Sequence, residues 1–293
     1  MITTARPIGV ILAAGLAIGV TIATFAAAAP LATENAGWES VVSGLVSVFE
    51  THDFLLLGEA HGRRVDADLR ARLVRDPAFQ KNVHFIVVER ADPSAQAALD
   101  RYVGGSAPSD VELRPFAFPP EYQELLAAIR DSNQALPSAQ RMRVLAGHEL
   151  QGRDGVLTTI HDQVIARNQK ALVIYGSGHV WKARGDVAIA LGRLAPGRVF
   201  VAELLTAFPP RARGAMPPEY VALNNALAAL DSTLHIKERP VLVSLQQNLQ
   251  AARLVADPFY VGQAMLGPNV TLGQIDDAVV SFGLDPQYGA FMR

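Results

Sequence analysis

The chain has 293 residues, half of them apolar, and its 26 Lys and Arg stand against 28 Asp and Glu for a formal net charge of −2. That is enough for the core of one large domain or two small ones, and the scattered basic residues lack the charge footprint of a nucleic-acid binder. With no cysteine, disulfides, thiolate chemistry and a lipobox anchor are excluded, so any metal site must use His, Asp, Glu or Tyr.

Arg6 precedes an apolar stretch from Ile8 to Ala29 that ends in "FAAAAP", the pattern of a secretory signal peptide. Cleavage after Ala28 puts alanine at −1 and −3, whereas cleavage after Ala29 would leave Pro30 at +1. Residues 1–28 are therefore expected to be a signal peptide and the mature chain to be exported, periplasmic or secreted. The alternative is an uncleaved membrane anchor through residues 8–29, because about twenty apolar residues can also span a bilayer. Residues 37–293 are expected to form a single domain.

Trp38, Val41, Val42, Leu45 and Phe49 fall at helical spacing and predict a first amphipathic helix. Apolar runs then recur as "FLLLG" at 54–58, "FIVVE" at 85–89, "RVLAG" at 143–147, "ALVIYG" at 171–176, "VFVAE" at 199–203, "VLVSL" at 241–245 and "AVVSFG" at 278–283. Helical segments are expected between them, at Ala67–Val74, Glu121–Arg130, Thr159–Lys170, Asp186–Leu194 and Glu219–Leu230. Strands without polar alternation, separated by helices, indicate an α/β fold with a mainly parallel sheet covered on both faces. Two proline-rich segments, "RPFAFPPEY" at 114–122 and "FPPRARGAMPPEY" at 208–220, each lead into a helix with Pro-Pro-Glu-Tyr. Proline is at home in a first helical turn, where its missing N–H costs nothing; a pair of lids or a duplication is the functional alternative.

In such a sheet, ligands bind where the carboxyl ends of the strands meet a change of strand order. The residues expected at that edge are Glu59 and His61; Glu89 and Arg90; His148 and Glu149; Ser177 and His179; and Glu203. His61 and His179 share a glycine three residues earlier, Gly58 and Gly176, and more glycine nearby. These glycines are expected to let the backbone approach a bound group closely and to let a helix begin at once, with its free N–H groups facing the same pocket. Familiar motifs are absent. His148-Glu149 is followed by Gly152 where a zincin helix needs its second histidine, Ser177 lacks the outer glycines of a nucleophile elbow, and Trp181 stands where a dinucleotide loop needs its third glycine.

The ordered stretches "LLLGEAHG", "QAALDRYVGG", "HDQVIARN" and "ALVIYGSGHV" resemble the superfamily that joins the erythromycin esterases, the haem-uptake protein ChaN and the Tiki/TraB proteins. The likeness runs from about Phe54 to Val180, with a weaker echo at "IDDAVVSFG". It implies a mixed α/β sheet with a site of His61, Glu89 and His179, and Glu59 beside them. Tiki-type members are thought to hold a divalent metal with such residues, esterase members to activate water with histidine alone, and ChaN to bind haem. The chain departs from the pattern where relatives often read Arg-Asp-x-x-Met, having His161-Asp162-Gln163-Val164-Ile165. Either Arg90 or Arg167 is the candidate substitute for the missing arginine.

Two functions follow as expectations. The first is an exported hydrolase, an esterase or metallopeptidase-like enzyme acting on a small molecule or peptide, with His61, Glu89, His179 and Glu59 as catalytic residues. Its metal, if used, is zinc or manganese held by His61, Glu89 and His179. The second is a non-catalytic haem- or iron-binding protein of the ChaN type, with a histidine or a tyrosine as axial ligand, Tyr122 and Tyr220 being the tyrosine candidates.

Overall fold

The computed structural model describes residues 37–106, 113, 116, 118–148, 152–207, 215–236, 239–260 and 266–292. The expected leader, the anchor alternative and Glu149 lie outside them. The strands are β1 (Phe54–Glu59), β2 (Phe85–Val88), β3 (Arg143–Ala146), β4 (Ala171–Gly176), β5 (Val199–Leu205), β6 (Val241–Ser244) and β7 (Ala278–Ser281). The helices are α1 (Trp38–Ser47), α2 (Arg64–Arg75), α3 (Pro77–Asn82), α4 (Gln96–Val103), α5 (Pro120–Ala135), α6 (Gly152–Ile160), α7 (Ser177–Val180), α8 (Asp186–Leu194), α9 (Pro218–Leu234), α10 (Leu249–Ala252) and α11 (Leu272–Ile275).

The seven apolar runs form one sheet in the order β3-β2-β4-β1-β5-β7-β6, parallel except where β6 runs against β7. Every residue of β1, β2, β6 and β7 is buried, as expected where helices cover both faces. Leu55, Leu57, Ile86 and Val88 pack under α1, α2, α4 and α5. Phe54, Leu56, Val87 and Val173 pack on α6 and α8, and Val243 and Val279 on α9, α10 and α11. Each fully buried Leu, Ile or Val stabilises the fold by about 1.5–3 kcal/mol relative to exposure. The fold is α/β.

Local chemistry fixes the helix starts. Asp76 caps α3 by accepting from the N–H groups of Ala78 and Phe79, with Pro77 in the first turn. Pro120 and Pro218 likewise open α5 and α9, so both Pro-Pro-Glu-Tyr runs are helix starts. The segment expected to be helical from Thr159 to Lys170 is instead the end of α6 followed by a π-helical turn at His161–Ile165. Among the described residues, no helix is long and apolar enough to cross a membrane.

The strand order creates one crevice. From β1 the chain moves to β2 on one side of the sheet, and from β4 it moves to β5 on the other, although β1 and β4 are adjacent. The connections leave these two strands in opposite directions, which opens a cleft at their carboxyl ends. Gly58-Glu59 pairs there with Tyr175-Gly176.

Candidate functional site

His61 lies two residues beyond the end of β1, in a turn that reaches α2 only at Arg64. The helix does not begin at once after the first Gly-x-x-His; two side chains hold the turn instead. Asp66 accepts from the backbone N–H of Ala60 at 3.1 Å and from Arg63 Nε and Nη2, each at 2.8 Å. Arg63 also donates to the Leu204 carbonyl and the Thr206 hydroxyl at the end of β5, each at 3.1 Å. Burial pushes the Asp66 carboxyl above its ordinary range, while the Arg63 guanidinium pulls the other way.

Glu59 ends β1 on the face of Leu55 and Leu57, so its side chain points into the layer of α2 and α5. There Tyr122 of α5 donates to Glu59 Oε1 at 2.5 Å and the guanidinium of Arg70 of α2 pairs with Oε2. Arg70 and Tyr122 are completely buried. Burial raises the Tyr122 hydroxyl far above its ordinary value, so it keeps its proton and serves as a donor. Glu59 Oε1 also accepts from His61 Nδ1 at 2.8 Å.

His179, in the one-turn helix α7, makes the matching contact, with Nδ1 on Asp186 Oδ1 at 2.8 Å. Facing a carboxylate, each Nδ1 carries the ring proton, which leaves Nε2 of the neutral ring as an acceptor. Both Nε2 atoms then face Glu89: that of His61 is 3.7 Å from Oε2, and that of His179 is 3.8 Å from Oε1. Glu89 sits just past β2, fixed by a 2.6 Å hydrogen bond from the Gly176 N–H to Oε2. With the rings in that form acceptors face acceptors, and both gaps are longer than a hydrogen bond. The gaps suit a proton donor or cation in between, since two ligand atoms about 2.1 Å from one ion at a tetrahedral angle stand about 3.4 Å apart.

Glu59, His61 and Glu89 each offer a ligand atom within 4.8 Å of the others. The expected set of His61, Glu89 and His179 shares two of these residues; His179 Nε2 is 3.8 Å from Glu89 Oε1 but does not join the mutually close group. Both Glu59 oxygens are already engaged, so Glu59 orients His61 from behind while His61 Nε2 and Glu89 Oε2 face each other across 3.7 Å. A histidine held through Nδ1 by a carboxylate is the usual support of a metal ligand, and imidazole nitrogen and carboxylate oxygen are donor types that zinc and manganese accept.

Gly176 leaves the approach unhindered, since a Cβ there would stand 3.2 Å from His61 Nε2, a tight contact, and 3.5 Å from Glu89 Oε2, an ordinary one. Gly176 thus stands beside the site's own side chains as well as in the cavity wall. Ser177 donates to Glu203 Oε2 at 2.7 Å, which commits its hydroxyl to a buried acid. Glu203 belongs to the interior of β5, beneath Gly58.

A cavity of about 780 Å³ opens over these groups, lined by Glu59, His61, Gly176, Ser177, His179 and Asp186, with Leu157, Ile189, Arg184 and Arg193 beyond them. The other expected residues lie elsewhere. Tyr122 is enclosed behind Glu59 and Tyr220 stands in the first turn of α9, outside the cavity wall, so tyrosine ligation of haem does not fit this cavity. His148 lines a separate cavity of about 220 Å³ with Gln96 and Arg143. His161 is exposed and pairs with Asp162 at 2.9 Å. Arg167 precedes β4 and so lies at the opposite edge of the sheet, about 20 Å from the site at roughly 3.3 Å per strand residue. Arg90 is exposed beside Glu89.

Asp66, Arg70 and Asp186 were not foreseen as site residues. Their signal was present in "RVDADLRARLV": Asp66 and Arg70 recur four apart on the helical stripe that carries Leu69 and Leu73, where only partnered charges are stable.

No family model and no curated protein matches the chain. Among solved structures, a protein from Bacillus cereus is similar over 86% of this chain and 93% of its own, with a TM-score of 0.55 and 12% identity. ChaN of Campylobacter jejuni, solved with cofacially bound haem, is similar over 61% of this chain and 87% of its own, with a TM-score of 0.38 and 13% identity. The likeness to the Bacillus cereus protein is one of fold, and the chemistry of the site rests on the side chains described above.

Proposed function

We propose that the cleft between β1 and β4 is a hydrolytic site acting on an ester or amide of a small molecule or peptide, in a protein that works outside the cytoplasm. The observation that carries this is the pair of imidazoles, each held through Nδ1 by a carboxylate and each presenting Nε2 to Glu89. A zinc or manganese ion held by His61 Nε2 and Glu89 Oε2 would supply Lewis acidity toward the substrate's carbonyl oxygen. Glu59, locked by Tyr122 and Arg70, keeps the His61 ring in its tautomer and orientation. Asp186 does the same for His179, whose Nε2 takes a proton from the attacking water and returns it to the leaving group. The Gly176 N–H keeps the Glu89 carboxylate in place between the two rings. Export through residues 1–28, or anchoring through residues 8–29, belongs to the same proposal.

The test is hydrolysis of a panel of p-nitrophenyl esters and peptide amides by the metal-stripped protein and by protein supplied with zinc or manganese. Activity lost in Glu89→Gln and His179→Gln is expected. Absence of cleavage under every metal condition, together with a Soret band on haem titration, would replace hydrolysis with haem binding.

A further inference from the structure

Four residues of α8 line the cavity: Asp186, Ile189, Ala190 and Arg193. Their spacing of three, four and seven places them on one face of the helix. Along that face the chemistry changes from a carboxylate that orients His179, through two half-buried apolar residues, to an exposed cation. Leu157 of α6 adds to the apolar middle, and Arg184 contributes a second guanidinium to the wall. At 1.5 Å per residue, Arg193 lies about 10 Å along the axis from Asp186. Among the described residues, none forms an ion pair with Arg193.

We propose that the ligand of this cavity is an elongated amphipathic anion. Its scissile group sits between His61, Glu89 and His179, its apolar segment runs along Leu157, Ile189 and Ala190, and its carboxylate or phosphate pairs with Arg193. The assignment of a scissile group rests on the hydrolase reading; the class of ligand rests on the wall alone. A planar guanidinium takes either anion through two parallel N–H donors, while Leu157, Ile189 and Ala190 offer no charge or hydrogen bond to match a polar chain. The volume of about 780 Å³ is within the usual range for a small-molecule site and exceeds what the reacting group alone would fill.

The experiment is calorimetric titration of the protein with hexanoate, octanoate and decanoate, the corresponding alkyl phosphates, and the corresponding alcohols and alkylammonium ions. The same titrations are run on Arg193→Gln and Arg193→Glu. The anions are expected to bind about three- to tenfold more tightly than the alcohols, the low end reflecting the solvent exposure of Arg193. Arg193→Gln should remove the difference, and Arg193→Glu should turn it toward alkylammonium. Comparing carboxylates with phosphates shows which anion the wall prefers. Alcohols binding as tightly as anions, or an anion preference that survives Arg193→Glu, would overturn the inference. Parallel hydrolysis assays use p-nitrophenyl monoesters of dicarboxylic acids and their neutral counterparts. No cleavage with Arg193-dependent binding removes the hydrolase reading and leaves the ligand class standing, whereas equal cleavage of charged and neutral esters keeps the hydrolase and overturns the ligand class.

Discussion

Gly58 lies so close over the carboxyl group of Glu203 that a Cβ on the glycine would collide with it. Glu203 is fully enclosed, so it cannot swing into solvent to relieve the clash. Gly58→Ala should therefore destabilise by about 1–3 kcal/mol, the usual cost of overpacking. Urea unfolding measures it. In a double-mutant cycle, Gly58→Ala should cost much less on a Glu203→Ala background, because the shared space has then been vacated. An additive pair would mean that the glycine serves something else.

Arg70 and Glu59 form an ion pair that is almost wholly removed from water, each side chain 1% exposed. Burial disfavours the charged form of Arg70 and lowers its pKa, so the guanidinium depends on its partners to remain an ion. Arg70→Met leaves Glu59 with Tyr122 and His61 only, and breaking such a pair from one side is expected to cost about 3–5 kcal/mol. Glu59→Gln combined with Arg70→Met should recover part of that loss, since neither charge then stays buried alone. Chemical denaturation of the two variants decides the matter, and a loss below about 1 kcal/mol in the single variant would show that water reaches the pair.

His61 and His179 call for the opposite expectation. Their side chains are 38% and 33% exposed, and each ring presents an acceptor to a carboxylate. Replacing either by alanine should change stability little, within about 1 kcal/mol, because repulsion is removed along with contacts. Zinc or manganese is expected to raise the melting temperature of the parent, and the variants should lose that rise, His61→Ala completely and His179→Ala partly. Only a ligand that prefers the native state shifts its melting. A large intrinsic loss in stability with the metal response intact would make both turns structural.

The sequence made the sheet legible because its strands are buried on both sides, so most appear as apolar runs bounded by glycine or charge; β5 is the exception, running on two residues past Glu203, where the apolar run ended. The convergence of His61, Glu89 and His179 was legible for the same reason, since each follows such a run at the carboxyl end of a parallel strand. What stayed hidden came from elements distant in sequence. Nothing near Glu59 indicates that Tyr122, 63 residues away, will donate to it. The purpose of Gly58 and Gly176 was equally hidden, because it depends on Glu203, His61 and Glu89 crossing from neighbouring strands and turns. The tyrosines of the two Pro-Pro-Glu-Tyr runs looked equivalent in sequence, yet Tyr122 falls on the buried face of α5 and Tyr220 on a partly exposed turn of α9.

The buried acids beneath the site give the last prediction. Glu203 and Asp276 are both fully enclosed, and their carboxyl pKa values are raised well above 4.5 and 3.8, chiefly by burial. Each also feels acidic neighbours: Asp276 and Asp66 act on Glu203, and Asp277 acts on Asp276. Ser177 and Arg63 oppose the rise at Glu203, as Tyr260 and Lys182 do at Asp276. In the unfolded chain both carboxyls ionise near their ordinary values, so above about pH 4 the folded state holds protons that the unfolded state has released. Stability from these groups is thus fully present below the ordinary carboxylate range and falls as the pH rises toward the folded values. Glu203→Gln removes the Glu203 part of that slope, leaving that of Asp276, while keeping an oxygen to accept from Ser177. The variant and the parent should have nearly equal unfolding free energies at pH 4, and the variant should be progressively the more stable toward pH 8, as measured by urea titration across that range. A difference that stays constant with pH, or grows in the parent's favour, would mean that Glu203 is ionised in the folded protein and held by its neighbours as an anion.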